Sequence, residues 1–118
     1  MAIFIFEAAG LCIGHLGHLH QIPRPAQYAA IGRLDVVMVP VDGGYTMTLP
    51  AMMGVVDRLR ARVVIPMHWF SGASLEAFLA GMAGEFEVAR SDGAEVEVSL
   101  KTLPDRPTIL VLQPAFLP

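Results

Sequence analysis

Two continuous apolar runs mark the centre of the hydrophobic pattern. Residues 36–39 and 63–67 are apolar at successive positions, which is typical of interior strands covered on both faces in a parallel sheet. Between these runs, residues 48–60 carry apolar side chains at the spacing of an amphipathic helix. The order strand, helix, strand predicts a right-handed βαβ unit in which residues 36–39 and 63–66 are neighbouring parallel strands.

Shorter segments extend this unit at both ends. Residues 3–6, followed by Glu7, and residues 11–14 are mostly apolar and are separated by a short turn with the sequence Ala-Gly, which predicts a β-hairpin. After the second long run, residues 87–90 and 95–100 flank a Ser-Asp-Gly turn, and the latter segment alternates strictly between charged or polar and apolar positions. This pattern predicts two antiparallel strands, one of which has a solvent-exposed face. Residues 108–112 predict a final apolar strand.

Two further helices complete the prediction. Residues 25–31 begin with a proline and are followed by Gly32, the arrangement of a short helix. Residues 74–82 place apolar side chains at helical spacing behind Ser74, a suitable N-cap. We therefore expect an α/β fold, with a mixed β-sheet and helices on one face, that forms a single domain over residues 1–118.

Composition narrows the class of protein. Of the 118 residues, 54% are hydrophobic and only 16% are charged, which is too apolar for disorder and high for a small monomer. The net charge is −3 without a Lys/Arg cluster, so nucleic-acid binding has no support. No apolar run approaches the ~20 residues of a membrane span, and no secretion signal is visible at the start of the sequence, so we expect a cytoplasmic protein. The one cysteine, Cys12, lies in an apolar strand and is expected to be a buried structural thiol.

All four histidines follow predicted strands. His15, His18 and His20 come directly after the strand at 11–14, and His68 follows the run at 63–67, while Asp42 lies just past the run at 36–39. Because ligands of open α/β sheets bind beyond the carboxyl ends of the strands, these three segments predict a polar site at one edge. Imidazole and carboxylate are common ligands of transition metals.

Each candidate also has a structural interpretation. His68 can simply bond a backbone carbonyl at a strand end, and Asp42, before two glycines, can be a turn residue. In an extended chain His18 and His20 point to one side and His15 to the other. A turn at Gly17 would change that arrangement.

Three motifs, residues 13–20, 35–47 and 63–69, follow one another in an order and spacing that resemble a known family. They are similar to the C-terminal half of a metallo-β-lactamase-fold hydrolase, in an uncharacterised bacterial branch similar to the ascorbate-phosphate lactonases. The resemblance implies half of an αββα sandwich with a one- or two-metal site at its edge. It places His68 where the last metal-ligand histidine lies, His18 where the family has a metal-bridging aspartate, and Asp42 on a loop that borders the pocket.

The resemblance implies a divalent metal cofactor, zinc, and a small-molecule substrate. Under it, His18, His68 and His20 are the candidate metal ligands, and Asp42 and His15 are the candidate catalytic residues that orient ligands or transfer protons. The family's main metal motif, HxHxDH, does not occur in these residues. We therefore expect a free-standing or truncated half of the fold.

Two functions follow from this expectation. The first is a metal-dependent hydrolase relative, and the second is a non-catalytic, self-associating module. Since one half leaves one sheet face without helices, we expect a homodimer that covers this face with a second copy.

Overall fold

The computed structural model describes residues 3–17, 19, 21–42, 47–67 and 72–113. Within these residues the chain forms six strands and three helices, in the order β1 (Phe4–Ala8), β2 (Leu11–His15), α1 (Pro25–Ile31), β3 (Val36–Pro40), α2 (Leu49–Leu59), β4 (Val63–Met67), α3 (Gly72–Met82), β5 (Glu87–Arg90) and β6 (Thr108–Val111).

One mixed sheet contains all six of these strands, in the spatial order β1-β2-β3-β4-β6-β5. β1 pairs antiparallel with β2, as the expected hairpin, and every other pairing is parallel. β3 and β4 are neighbouring parallel strands, in which Val36 is opposite Val63 and Met38 is opposite Ile65. The predicted α/β class, mixed sheet and βαβ unit are thus confirmed.

The hydrophobic core lies on one side of this sheet. Val37, Val64 and Ile109 are fully buried, and they belong to one cluster with Met52 of α2 and Phe78 of α3. The alternate residues of the same strands point to the opposite side, because side chains alternate across a strand. The helices therefore pack on one face, as expected.

Local sequence explains where helix α2 begins and ends. The Thr48 hydroxyl accepts a hydrogen bond from the backbone N–H of Ala51 at 3.4 Å, and Pro50 lies in the first turn, where a missing N–H costs nothing. Arg60 ends the helix in the left-handed conformation, with φ of 53°. In the described part of the chain, no helix has the length and apolar character that crossing a bilayer would need.

Three details of the predicted elements were wrong. Residues 95–100 form no strand, and β5 pairs in parallel with β6 instead of with its neighbour in sequence. The chain between them crosses the sheet, and β6 is inserted between β4 and β5. Helix α3 begins at Gly72, so Ser74 lies inside the helix and is not its N-cap.

Candidate functional site

The carboxyl ends of three parallel strands meet at one edge of the sheet. β2, β3 and β4 lie side by side, with His15 opposite Met38 and Pro40 opposite Met67. Beyond the strands, the backbone N–H of Val41 still donates to the carbonyl of Met67 at 2.9 Å. β3 and β4 therefore remain hydrogen-bonded one residue past the last β-sheet pair. In the sequence, Asp42 and His68 follow directly.

His15, the last residue of β2, is half-buried and held by a specific hydrogen bond. Its Nδ1 accepts the backbone N–H of Gly17 at 3.1 Å. A neutral imidazole that accepts at Nδ1 carries its proton on Nε2, so the free nitrogen of His15 is a donor. This arrangement suits the proton-donating or orienting role expected of His15 and does not present a lone pair to a metal.

A tight turn follows His15. Gly17 has φ of +59°, a left-handed conformation that glycine adopts without strain. The backbone N–H of Leu16 donates to the carbonyl of Met38, and the N–H of Leu19 donates to the carbonyl of Leu16, each at 3.1 Å. Both leucine side chains are buried in the core. The turn considered in the sequence analysis is therefore present and is anchored on both sides.

Asp42 lies where the sequence places it, just beyond β3, and is half-buried. His18, His20 and His68 lie outside the described residues, so their role as metal ligands remains a prediction. Among the residues that the structure describes, no group of three His, Cys, Asp or Glu side chains is arranged to hold a metal ion.

Sequence reasoning missed a polar cluster at the opposite edge of the sheet. Asp35 is only 6% exposed, and its Oδ2 accepts the backbone N–H of Cys12 at 2.7 Å and the Arg33 guanidinium at 3.3 Å. The same guanidinium lies 3.7 Å from the Cys12 thiol sulfur. This thiol contact, followed by the charge of Asp35, raises the pKa of Arg33 above its ordinary value.

The cluster is a structural connection between β2 and β3. The backbone N–H of Asp35 also donates to the carbonyl of Cys12 at 2.8 Å, so the two residues are bonded twice. Cys12 is half-buried, not fully buried as expected. The sequence did contain a signal for this cluster, because Asp35 directly precedes the apolar run 36–39. A carboxylate next to a buried strand needs a hydrogen-bond partner.

Comparison with known proteins identifies similar sequences and structures. Residues 1–68 match the family model described as the Beta-lactamase superfamily domain. UPF0173 proteins of Pyrococcus abyssi and Pyrococcus furiosus are each 31% identical over 68 residues, which is 56% of this chain and 31% of each relative. A crystal structure from Thermotoga maritima, of a candidate Zn-dependent hydrolase of the metallo-β-lactamase superfamily, aligns with a TM-score of 0.77 and 32% identity.

The shared region is only part of those proteins. The structural alignment covers 93% of this chain and 58% of the Thermotoga chain. The chain thus spans less than two thirds of the length of the relatives described above.

Proposed function

Since this chain belongs to the metallo-β-lactamase superfamily, we propose that it is a relative of the metal-dependent hydrolases in that superfamily and supplies part of their metal site. The proposal assigns residues 1–118 to the C-terminal half of the αββα sandwich, in the branch similar to the ascorbate-phosphate lactonases. The 58% coverage of the Thermotoga structure and the three sequence motifs support this assignment.

The observation that carries the proposal is the alignment of the strand ends. His15, Pro40 and Met67 end three adjacent parallel strands, and the histidines of the sequence follow two of these ends. The donor set also fits the metal, because zinc is bound by imidazole nitrogen and carboxylate oxygen. We assign His18 and His68 as ligands, with His20 as a further candidate.

A bound Zn²⁺ would supply Lewis acidity and lower the pKa of a bound water to ~7. The residues of this chain would contribute orientation and proton transfer. His15 carries a proton at Nε2 and is fixed by its bond to Gly17, so it can donate to a ligand or a substrate oxygen. Asp42, at the end of β3, would orient a histidine ligand through its second ring nitrogen.

Metal analysis of single variants tests the assignment. Protein purified without added metal is analysed for its elemental content, stripped with a chelator and titrated with zinc by calorimetry. We expect the wild type to bind zinc and His68→Ala to lose more than about 100-fold in affinity, because removing a ligand costs more than removing an outer-shell partner.

His15→Asn is the matched control. Asparagine can still accept the N–H of Gly17, so the turn is kept, and we expect zinc affinity close to that of the wild type. Unchanged affinity in a folded His68→Ala variant would remove His68 from the site. An equal loss in His15→Asn would show that His15 is itself a ligand.

The second candidate function is a non-catalytic module that self-associates. The observation that favours it is the apolar sheet face opposite the helices, with Phe4 60% and Phe6 46% exposed. The two functions differ in metal content: a chain that contains no transition metal and binds no zinc would favour the module.

A further inference from the structure

A polar cavity lies at the amino ends of three neighbouring parallel strands, β3, β4 and β6. Its volume is about 460 Å³, and the loops that lead into these strands line it. The charged residues of the lining are Arg33, Asp35, Arg60, Arg62, Lys101 and Asp105. The candidate metal site is at the other ends of the strands, so a full strand length of roughly 15 Å separates the two places.

The cavity collects positive charge in an acidic chain. Four of the eight Lys and Arg residues line it, together with two of the eleven Asp and Glu residues. Four cations against two carboxylates leave the lining with a formal charge of +2, whereas the chain as a whole carries −3. These cations are spread over residues 33–101, so the fold creates a cluster that the sequence does not show. A concave surface of one sign attracts counter-ions, because its walls focus the electric field.

Two of the arginines are held by only part of the guanidinium group. Nη2 of Arg33 donates to the carboxylate of Asp35 at 3.3 Å, and Nη1 of Arg62 donates to the carbonyl of Pro104 at 2.9 Å. A guanidinium group has five N–H donors in one rigid plane. The bonds on one side therefore orient each group and leave donors on the other side for a ligand.

The other two cations contribute unequally. Arg60 lies 3.2 Å from a carboxylate oxygen of Asp57 and 3.4 Å from one of Glu85, so these neighbours neutralise much of its charge. Lys101 is exposed and makes no ion pair with any residue that the structure describes. An ammonium group without a partner can bind an anion and lose no existing contact.

We propose that this cavity binds a small phosphate-bearing anion, held by Arg33, Arg62 and Lys101. Guanidinium groups bind phosphate oxygens through two parallel N–H···O bonds, and a lysine adds a compact positive charge. The volume lies within the roughly 300–1,000 Å³ of small-molecule sites and exceeds what a single phosphate ion fills. Pyrophosphate or a phosphate ester therefore suits it better than the free ion.

Asp105 gives the proposal a second, opposite sign. Its carboxylate is exposed, lines the same cavity and makes no ion pair with the described residues. A negative charge at this position repels a bound anion, so neutralising it should strengthen binding, while neutralising Lys101 should weaken binding.

The inference is independent of the proposed function. Phosphate groups also coordinate zinc, and a metal at the carboxyl ends of the strands would bind them as well. Measurements on chelator-treated protein in the presence of chelator separate the two sites. Anion binding that persists there supports the cavity whether or not the chain ever binds zinc.

Calorimetric titration with sodium pyrophosphate at low ionic strength is the test. We expect saturable binding to the wild type, at least about tenfold weaker binding to Lys101→Gln and to Arg62→Gln, which each lose a charge-assisted hydrogen bond, and about two- to fivefold tighter binding to Asp105→Asn. Arg90→Gln is the matched control. Arg90 is also exposed and pairs with Glu76 at 2.7 Å, but it does not line the cavity, so this variant should bind like the wild type.

Other results would overturn the proposal. Wild-type protein that shows no saturable binding, or shows it only without chelator, would exclude an anion site in the cavity. An equal loss in Arg90→Gln and Lys101→Gln would indicate attraction to net charge alone. Far-UV circular dichroism checks that each variant is folded. If Arg62→Gln fails to fold because its bond to Pro104 is lost, Lys101→Gln and Asp105→Asn, which break no ion pair, must still shift the affinity in opposite directions.

Discussion

At the scale of single residues, Asp35 connects two strands of the sheet. Asp35 is buried at the start of β3 and accepts both the backbone N–H of Cys12 and the guanidinium of Arg33. The Arg33 side chain is 70% exposed, so solvent screens the ion pair. Most of the stabilisation from Asp35 therefore comes from its hydrogen bond to the backbone N–H of Cys12. Losing this acceptor would leave a half-buried N–H without a partner.

We expect Asp35→Ala to lower the free energy of unfolding by about 1–3 kcal/mol, the cost of an unsatisfied buried polar group. Asp35→Asn keeps an oxygen for the Cys12 N–H and should cost less. Asp57→Ala is the control, because Asp57 pairs with Arg60 on the surface and exposed pairs contribute roughly 0–1 kcal/mol. Urea denaturation measures all three, and an equal effect of Asp35→Ala and Asp57→Ala would contradict the connecting role of Asp35.

Tyr28 offers a second prediction at this scale. Burial raises its pKa above the ordinary 10.0, and the charge of Arg58, whose guanidinium lies 4.7 Å above the ring, partly opposes that rise. A raised pKa means that the fold favours the neutral phenol. Its contribution to stability is therefore complete below pH 10 and is lost as the pH rises through the folded-state pKa.

The phenolate absorbance of a Tyr45→Phe variant follows Tyr28 alone. We expect its titration midpoint above that of free tyrosine, and a further rise in Arg58→Met, which keeps an apolar cover but removes the cation. A midpoint that falls in Arg58→Met would show that the cover, not the charge, is the larger effect.

At the scale of elements, the sequence predicts best where one pattern has one physical cause. β3 and β4 are central strands whose helix-facing side chains are buried and whose opposite side chains are apolar and at least half-buried, which gives continuous apolar runs, and α2 has both a helical period and a threonine cap. Residues 95–100 alternate for a different reason: their apolar side chains cover the sheet as an irregular segment, which periodicity cannot distinguish from a strand. The insertion of β6 between β4 and β5 is a long-range event with no local signal.

The candidate site divides in the same way. The position of the histidines after apolar runs predicted a polar site at the carboxyl ends of the strands. His15 and Asp42 lie at such ends. The hydrogen bond that fixes the His15 tautomer depends on the left-handed turn at Gly17, which no spacing rule specifies. The Asp35 cluster joins two strands that are 23 residues apart in sequence, so it required the tertiary structure.

Two glycines in regular elements should respond in opposite directions to alanine. Gly54 lies inside α2 with no atom within 4 Å of an added Cβ, so Gly54→Ala should stabilise the fold by about 0.5–1 kcal/mol through the lower entropy of the unfolded chain. A Cβ on Gly14 would lie 2.9 Å from a methyl group of buried Leu34, so Gly14→Ala should be destabilising by about 1 kcal/mol or more. Thermal and urea unfolding test both, and equal signs would show that β2 can move away from Leu34.

At the scale of the whole molecule, the decisive feature is the unequal covering of the sheet. The helices bury the central strands on one face, whereas on the other face Val96, Val98 and Pro104 border a small cavity over Val63 and Leu110. A two-layer α/β structure of this kind has one core and one apolar surface. If a second copy covers that surface, folding and association are coupled, and the stability of the chain depends on its concentration.

Coupled association makes the thermal midpoint a measure of the interface. For a dimer that unfolds to two separate chains, a tenfold rise in concentration adds about 1.4 kcal/mol per dimer, or about 0.7 kcal/mol per protomer. With an unfolding entropy of about 2.1 cal/mol/K per residue, 118 residues correspond to a rise of about 3 °C in the midpoint. Phe6 lies on the apolar face opposite the helices, and its neighbour Ile5, equally exposed, lies on the helix side. We therefore expect this rise in the wild type and in Ile5→Glu, and a midpoint independent of concentration in Phe6→Glu. A wild-type midpoint that does not change over a hundredfold range of concentration would show that the apolar sheet face opposite the helices is not buried by a second copy in the folded chain.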